Sequence, residues 1–315
     1  GSDQATVTVN ETGTPDAGTD GAITLCSTSS AAGLFAALAG AQVGGTWTDP
    51  GGAPHGASFD PALDAPGNYT YTLSATAPCV GDQSQVVVTL EAAPDAGTDG
   101  SITVCDQGLP TGLFAQLGGA DAGGSWTGPG GAAFSGTYDP TTNASGMYTY
   151  TVTGIAPCGA DQSVVTVTET ASPNAGTDGS IILCSYDAVA ALFTALGGGA
   201  EAGGSWTEPG GAPHGTTIDP DSDPAGVYTY TIAAVAPCAG DQAQVTVTVN
   251  APPNAGADGA LTVCDAGAPA GLFASLSGAQ VGGTWTAPGG GAFSGTYDPA
   301  IDGGGVFTYT VAGTA

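Results

Sequence analysis

The chain has 315 residues and a net charge of −28, carried by 28 acidic side chains with neither lysine nor arginine to balance them. No Lys or Arg salt bridge can form, and phosphate-rich partners are excluded, because nucleic acid and anionic membrane surfaces are normally gripped by basic side chains. Disorder is excluded as well: 41% of residues are hydrophobic, and 4 Trp, 10 Tyr and 8 Phe stand in stretches with strand-like alternation.

A repeat organises everything else. Trp47, Trp126, Trp206 and Trp285 fall 79, 80 and 79 residues apart, and Pro15, Pro94, Pro173 and Pro253 open near-identical segments. A period of this length is enough to close a core, so each repeat reads as a small domain rather than one turn of a solenoid. The expected division is a terminal strand at 1–14, three repeats at 15–93, 94–172 and 173–252, and a fourth at 253–315 that lacks its last strand.

The chain opens with DQATVTVN at 3–10, which matches the strand that ends each later repeat: DQSQVVVTL from Asp82, DQSVVTVTE from Asp161 and DQAQVTVTV from Asp241. Repeat 4 stops before that strand. Two readings follow. The chain is a piece cut from a longer continuous array, or the first strand of one molecule completes repeat 4 of the next by β-strand addition. No leader or membrane-spanning run is read in it.

Each repeat begins with an acidic turn, PDAGTDG, PNAGTDG or PNAGADG. Asp16 and Asp20, Asp95 and Asp99, Asn174 and Asp178, and Asn254 and Asp258 sit four apart in a Gly-rich segment, a spacing that offers oxygen ligands to calcium. The competing reading is a tight turn whose carboxylates accept backbone N–H groups.

Taking repeat 2 as the pattern, SITVC (101–105), GMYTYTV (146–152) and DQSVVTVTE (161–169) are strands by composition and alternation. LFAQL (113–117) fits a bent strand or one helical turn, and a strand is expected. The tryptophans 47, 126, 206 and 285 are expected as core anchors packed on a disulfide between sheets, with an exposed ligand platform as the alternative. The frame Asp64, Gly67, Tyr69, Tyr71 suggests a tyrosine corner. His55 and His214, in GGAPHG, read as turn residues. The DP corners at Asp60, Asp139, Asp219 and Asp298, with Asp64, Asp223 and Asp302, form a second acidic cluster that strand-end turns explain equally well. Sequons at Asn10, Asn68 and Asn143 recur at no equivalent position.

Cysteines come one pair per repeat, and the expected bridges are Cys26–Cys79, Cys105–Cys158 and Cys184–Cys238, with Cys264 unpaired. Disulfides imply an oxidising, extracellular setting. The expected fold is all-β, a tandem array of four small immunoglobulin-like antiparallel sandwiches, each complete one stapled by a disulfide.

The string DAGTDGSITVC, LFAQLGG, AGGSWTGPGG, TYDP, GMYTYTV, APC and DQSVVTVT resembles the immunoglobulin-like repeats of very long, secreted Bacteroidetes surface proteins, among them gliding-motility-type adhesins and type IX secretion cargo. The resemblance covers essentially the whole chain. It implies a stalk or fibre segment at the cell surface, whose partners are neighbouring repeats or head-to-tail copies of itself, with glycans bound by other parts of a full protein. A multivalent carbohydrate- or ligand-binding array is the second expectation. No Ser/His/Asp frame, HExxH, CxxC or phosphate-cradling glycine motif appears, and no enzyme is expected.

Overall fold

The structure is a computed structural model that describes residues 1–313; the last two residues assigned to repeat 4 lie outside the described residues. It divides into two compact units, Gly1–Ala171 with repeats 1 and 2, and Ser172–Ala315 with repeats 3 and 4.

Repeat 1 is built from β1 (Gly21–Cys26), β2 (Ala32–Gly33), a 3₁₀ turn (Phe35–Ala37), β3 (Thr46–Thr48), β4 (Pro54–His55), β5 (Ser58–Phe59), β6 (Gly67–Leu73) and β7 (Asp82–Glu91). One sheet runs in the order β1-β7-β6-β3-β4, and the second layer is the short pair β2-β5 with the 3₁₀ turn beside it. Pairing is antiparallel except at one edge, where β1 lies parallel to β7. This is an immunoglobulin-like sandwich with a small second layer. Alternation in the strands makes the core: β6 turns Tyr69, Tyr71 and Leu73 inward, and β7 turns Ser84, Val86 and Val88 inward while Gln83, Gln85 and Val87 face out.

Repeat 2 reproduces this with β8 (Gly100–Cys105), β9 (Thr111–Gly112), β10 (Ser125–Thr127), β11 (Ala133–Phe134), β12 (Thr137–Tyr138), β13 (Gly146–Val152) and β14 (Asp161–Thr170). Repeat 3 does so with β15 (Gly179–Cys184), β16 (Ala190–Ala191), β17 (Ser205–Thr207), β18 (Pro213–His214), β19 (Thr217–Ile218), β20 (Gly226–Ile232) and β21 (Asp241–Asn250). Each of repeats 1 to 3 has its own buried cluster, which holds Trp47, Trp126 or Trp206 together with the inward tyrosines and valines of its two long strands.

The LFxxL segment is a helical turn, not the expected strand. In repeat 1 the amides of Ala37 and Leu38 donate to the carbonyls of Leu34 and Phe35, an i to i+3 pattern. That single turn sends Leu34 and Leu38 into the core and lays Phe35 edge-on against Tyr71, at 5.4 Å between centroids; an extended strand would put Leu34 and Phe35 on opposite faces.

Repeat 4 differs. It has β22 (Ala270–Gly271), β23 (Thr284–Thr286), β24 (Ala292–Phe293), β25 (Thr296–Tyr297) and β26 (Thr308–Thr310), in a three-stranded sheet β24-β23-β26 and a pair β22-β25. Among the described residues, 259–264, the counterpart of β1, form no ladder, and no strand of repeat 4 corresponds to β7. Residues 3–10, which carry its sequence, also join no sheet, and their Val7 and Val9 are 88% and 80% exposed.

Candidate functional site at the repeat junctions

Each repeat starts with the acidic turn, and the same three hydrogen bonds recur there. In repeat 1, Asp16 Oδ1 accepts from Gly18 N at 2.8 Å, Asp82 Oδ2 accepts from Ala17 N at 2.8 Å, and Asp20 Oδ1 accepts from Gln85 N at 2.7 Å. The set is repeated by Asp95, Asp161 and Asp99 in repeat 2, and by Asn174, Asp241 and Asp178 in repeat 3. The first side chain, Asp16, Asp95 or Asn174, closes the turn, and the two carboxylates clamp the turn to the last strand of its own repeat. Among the described residues of repeat 4, the turn bond of the set is present, Gly256 N donating to Asn254 Oδ1 at 2.8 Å.

Among the described residues, none of the junction aspartates 16, 20, 95, 99, 178 and 258 falls in a group of three His, Cys, Asp or Glu side chains close enough to share an ion. Asp16, Asp20, Asp95, Asp99 and Asp178 each accept a backbone amide. Asp82, Asp161 and Asp241 complete the clamp, and sequence reasoning took them only as strand starts. Their recurrence in the DQ pair was the signal.

The cysteines join at the same place, and here the expected pairing is corrected. Cys26 is bonded to Cys158, with Cα atoms 5.0 Å apart and a sequence separation of 132. The bridge ties repeat 1 to repeat 2. Cys79 and Cys184 carry free thiols, as does Cys264, while Cys105 and Cys238 are disulfide sulfurs. The expected bridges Cys26–Cys79, Cys105–Cys158 and Cys184–Cys238 are thus not formed. The reason is polarity along the strands. Cys26 ends β1 in register with Glu91, the last residue of β7, whereas Cys79 lies in the loop that precedes Asp82 at the start of β7. Asp82 to Glu91 spans about 30 Å at about 3.3 Å per residue, and a disulfide tolerates no more than about 7 Å between Cα atoms. The two cysteines of one repeat therefore sit at opposite poles. β7 delivers the chain from the Cys26 pole into repeat 2, whose Cys158 loop faces back, with Cys158 Sγ 3.5 Å from the Glu91 carbonyl oxygen.

The tryptophans pack on tyrosines. Trp47, Trp126 and Trp206 are buried against Tyr71, Tyr150 and Tyr230, with centroids about 5 Å apart, and Trp285 meets Tyr309 in the same way while remaining partly open. The phenol of Tyr71 donates to the Gln42 carbonyl at 2.8 Å and accepts from Gly45 N at 2.7 Å, and Tyr150, Tyr230 and Tyr309 bind their loops alike. The tyrosine corner is present in repeats 1 to 3: Tyr69, Tyr148 and Tyr228 each donate to the carbonyl four residues earlier. Burial holds the Tyr69 and Tyr148 phenols above their ordinary pKa and pushes Tyr228 up to about 12.

His55 is more than an exposed turn residue. Its ring lies across Tyr69, Nδ1 donates to the Gly56 carbonyl at 2.8 Å, and Nε2 stands 3.2 Å from Asp64 Oδ1. Burial alone would lower its pKa, but the bonds to Asp64 and Gly56 outweigh burial and raise it. A neutral ring donating through Nδ1 would turn a lone pair toward the carboxylate; only the protonated ring satisfies both partners. Asp64 is held below the ordinary carboxylate range, first by the Asp60 amide and then by His55. His214 and Asp223 repeat the pair at 3.4 Å. The DP corners are strand-end turns: Asp60 Oδ1 caps Ala62 N, and Asp64 Oδ2 accepts from Asp60 N.

No protein-family model matches the chain, and no curated protein matches it. Among solved structures it is similar to the I-band fragment I67–I69 from titin, at 13% identity over 73% of this chain and 96% of that one, with a TM-score of 0.44. It is also similar to extracellular domains 3–5 of Drosophila OTK, at 11% identity over 75% and 97% of the two chains, with a TM-score of 0.29.

Proposed function

We propose that this chain is a tension-bearing segment of an extracellular stalk or fibre at a cell surface, a string of four immunoglobulin-like domains without enzymatic activity. The observation that carries the reading is the Cys26–Cys158 bridge. A disulfide inside a domain protects only that domain, whereas one between successive domains gives the chain a second covalent route past both. Force entering through β1 passes from Cys26 to Cys158 and leaves along β14, so the residues between the two cysteines lie in a closed loop. With a separation of 132, that loop holds back about 450 Å of chain at about 3.4 Å per residue. The parallel β1-β7 edge adds a shear-loaded ladder in the same direction. The disulfide chemistry supports an oxidising location, and a chain free of Lys and Arg offers trypsin-like proteases no cleavage site. A multivalent glycan-binding array would call for exposed indoles in every repeat, and Trp47, Trp126 and Trp206 are buried.

Single-molecule stretching between the chain ends tests the proposal. Reductant should lengthen the fully extended chain by at least about 450 Å. Equal lengths with and without reductant, or domains that yield at forces too small to measure, would overturn it.

A further inference from the structure

His55 and His214 are the only side chains of this chain that can carry a positive charge, and each stands against a carboxylate at the same place in its repeat. His55 lies on β4, an edge strand of two residues whose ladder to β3 sets Trp47 opposite His55 and Thr48 opposite Pro54. The imidazole fastens this edge to the rest of the repeat. Its ring lies 4.9 Å from that of Tyr69 on β6, Nδ1 donates to the Gly56 carbonyl, and Nε2 reaches Asp64 in the corner that leads into β6. The corner is itself closed on that carboxylate, since Asp64 Oδ2 accepts from the Asp60 amide at 2.7 Å. Repeat 3 has the same arrangement: His214 Nδ1 is 3.0 Å from the Gly215 carbonyl oxygen, Nε2 is 3.4 Å from Asp223, and the ring lies 4.9 Å from that of Tyr228.

Repeat 2 closes the same edge without a titratable pair. Phe134 takes the place of His55 and packs on Tyr148 at 4.5 Å, and Asn143 takes the place of Asp64, its Oδ1 accepting from the Asp139 amide at 2.8 Å. Ring and acid are exchanged together while the backbone bond of the corner is kept, so the contact that differs is the one that needs a proton. We propose that repeats 1 and 3 carry a proton-operated latch, in which the protonated histidine fastens the edge hairpin to the corner before the long central strand, while repeat 2 holds the same edge with a contact that does not titrate. The latch goes beyond the stalk reading and does not rest on it.

The groups that face the latch set its working range. Around His55 they are Asp64 and Asp60 in the corner, Asp49 in the hairpin turn and the Tyr69 phenol, with the Asp60 carboxylate turned onto the Ala62 amide. Around His214 they are Asp223, Asp221 and Asp219 in the corner, Glu208 in the turn and the Tyr228 phenol. No Lys or Arg competes for these carboxylates. Burial opposes a charge on His55, but the bonds to Asp64 and Gly56 and the nearby carboxylates outweigh it, so the ring keeps its proton above its ordinary value of about 6.5. Once that proton leaves, Nδ1 still donates to Gly56, and the Nε2 lone pair and Asp64 Oδ1 are two acceptors 3.2 Å apart with no hydrogen between them. The latch of repeat 1 therefore holds from the lowered pKa of Asp64 up to the raised pKa of His55, and it opens as pH rises through the latter.

The full chain serves for the test, since its two histidines give two imidazole signals. In an NMR titration the His55 midpoint should lie above its ordinary value and fall by about one pH unit in Asp64→Asn, a change that keeps the corner bond as Asn143 does. Hydrogen exchange read by mass spectrometry, with times scaled for the intrinsic effect of pH, supplies the second readout. Protection of residues 49–64 and 208–223 should fall by at least about threefold between about pH 6 and about pH 8.5, while residues 128–143 keep theirs. Phe134→His with Asn143→Asp should carry the pH dependence into repeat 2, and His55→Phe with Asp64→Asn should abolish it in repeat 1. A His55 midpoint at its ordinary value, protection of residues 49–64 indifferent to pH, or an equal fall in residues 128–143 would each overturn the proposal. None of these readouts involves the Cys26–Cys158 bridge, so the latch and the stalk reading fail separately.

Discussion

Tyr71 connects strand β6 to a loop 29 residues earlier by giving its hydroxyl hydrogen to Gln42 and taking one from Gly45. Gly45 is required by close approach: a Cβ there would meet the Tyr71 ring at 2.6 Å. Tyr69 makes one bond, to a carbonyl beside it in sequence, and repeat 4 has Phe307 in its place. Tyr71→Phe, which removes two hydrogen bonds to the Gln42 carbonyl and the half-buried Gly45 amide, should destabilise by about 1–3 kcal/mol, against about 1 kcal/mol for Tyr69→Phe; urea denaturation of the two variants checks the order. The corner tyrosine was legible in the sequence because its partner is local. The second tyrosine's role was not, since the alternating strand pattern marks a side chain as buried without saying which distant loop its hydroxyl reaches. His55 was likewise read from its turn alone, with no sign of Asp64 beneath it. Because its folded pKa is raised, its contribution to stability is complete below its ordinary value of about 6.5 and is lost as pH rises through the raised value. Asp64, with a lowered pKa, contributes above the ordinary carboxylate range, and that contribution is lost as pH falls through its folded value. His55→Phe, which imitates Phe134 of repeat 2, should flatten the dependence of melting temperature on pH from neutrality to mild alkalinity; an unchanged slope would remove the histidine from the explanation.

The strands were legible for the same reason that they form. Period-two alternation of Tyr, Val and Leu with Thr and Gln marks β6 and β7 and their counterparts, and the burial pattern follows it residue by residue. Two elements escaped. LFxxL was ambiguous because one 3₁₀ turn and a bent strand bury nearly the same leucines, and only the hydrogen bonds separate them. Cysteine pairing was misread because even spacing within a repeat fits any connectivity that shifts by a whole repeat. What decides it is the parallel direction of β1 and β7, which a sequence pattern does not carry. For Cys26→Ser the chain-entropy model gives an upper limit of about 5 kcal/mol when repeats 1 and 2 unfold together; calorimetry should find the two melting less cooperatively. Cys79→Ser, whose thiol is free, should leave the monomer's melting temperature unchanged. Equal losses from the two substitutions would restore the pairing within a repeat.

For the molecule as a whole, charge and repetition combine. No Lys or Arg is available to bridge 28 acidic side chains, so cohesion within repeats 1 to 3 comes from buried aromatics and the backbone clamps of Asp16, Asp20 and Asp82 and their counterparts. Repeat 1 is joined to repeat 2 by the main chain and a disulfide. The tandem organisation was plain from the spacing of tryptophans and prolines; how one repeat is fastened to the next was not, since it depends on which pole each cysteine occupies. The bridge between repeats underlies the tension-bearing reading. Its direct test is to alkylate free thiols in the native, non-reduced chain, cleave at acidic residues and identify linked peptides by mass spectrometry. Cys26 should be recovered joined to Cys158, with Cys79 alkylated in the monomer; Cys26 joined to Cys79 would contradict the fastening of one repeat to the next.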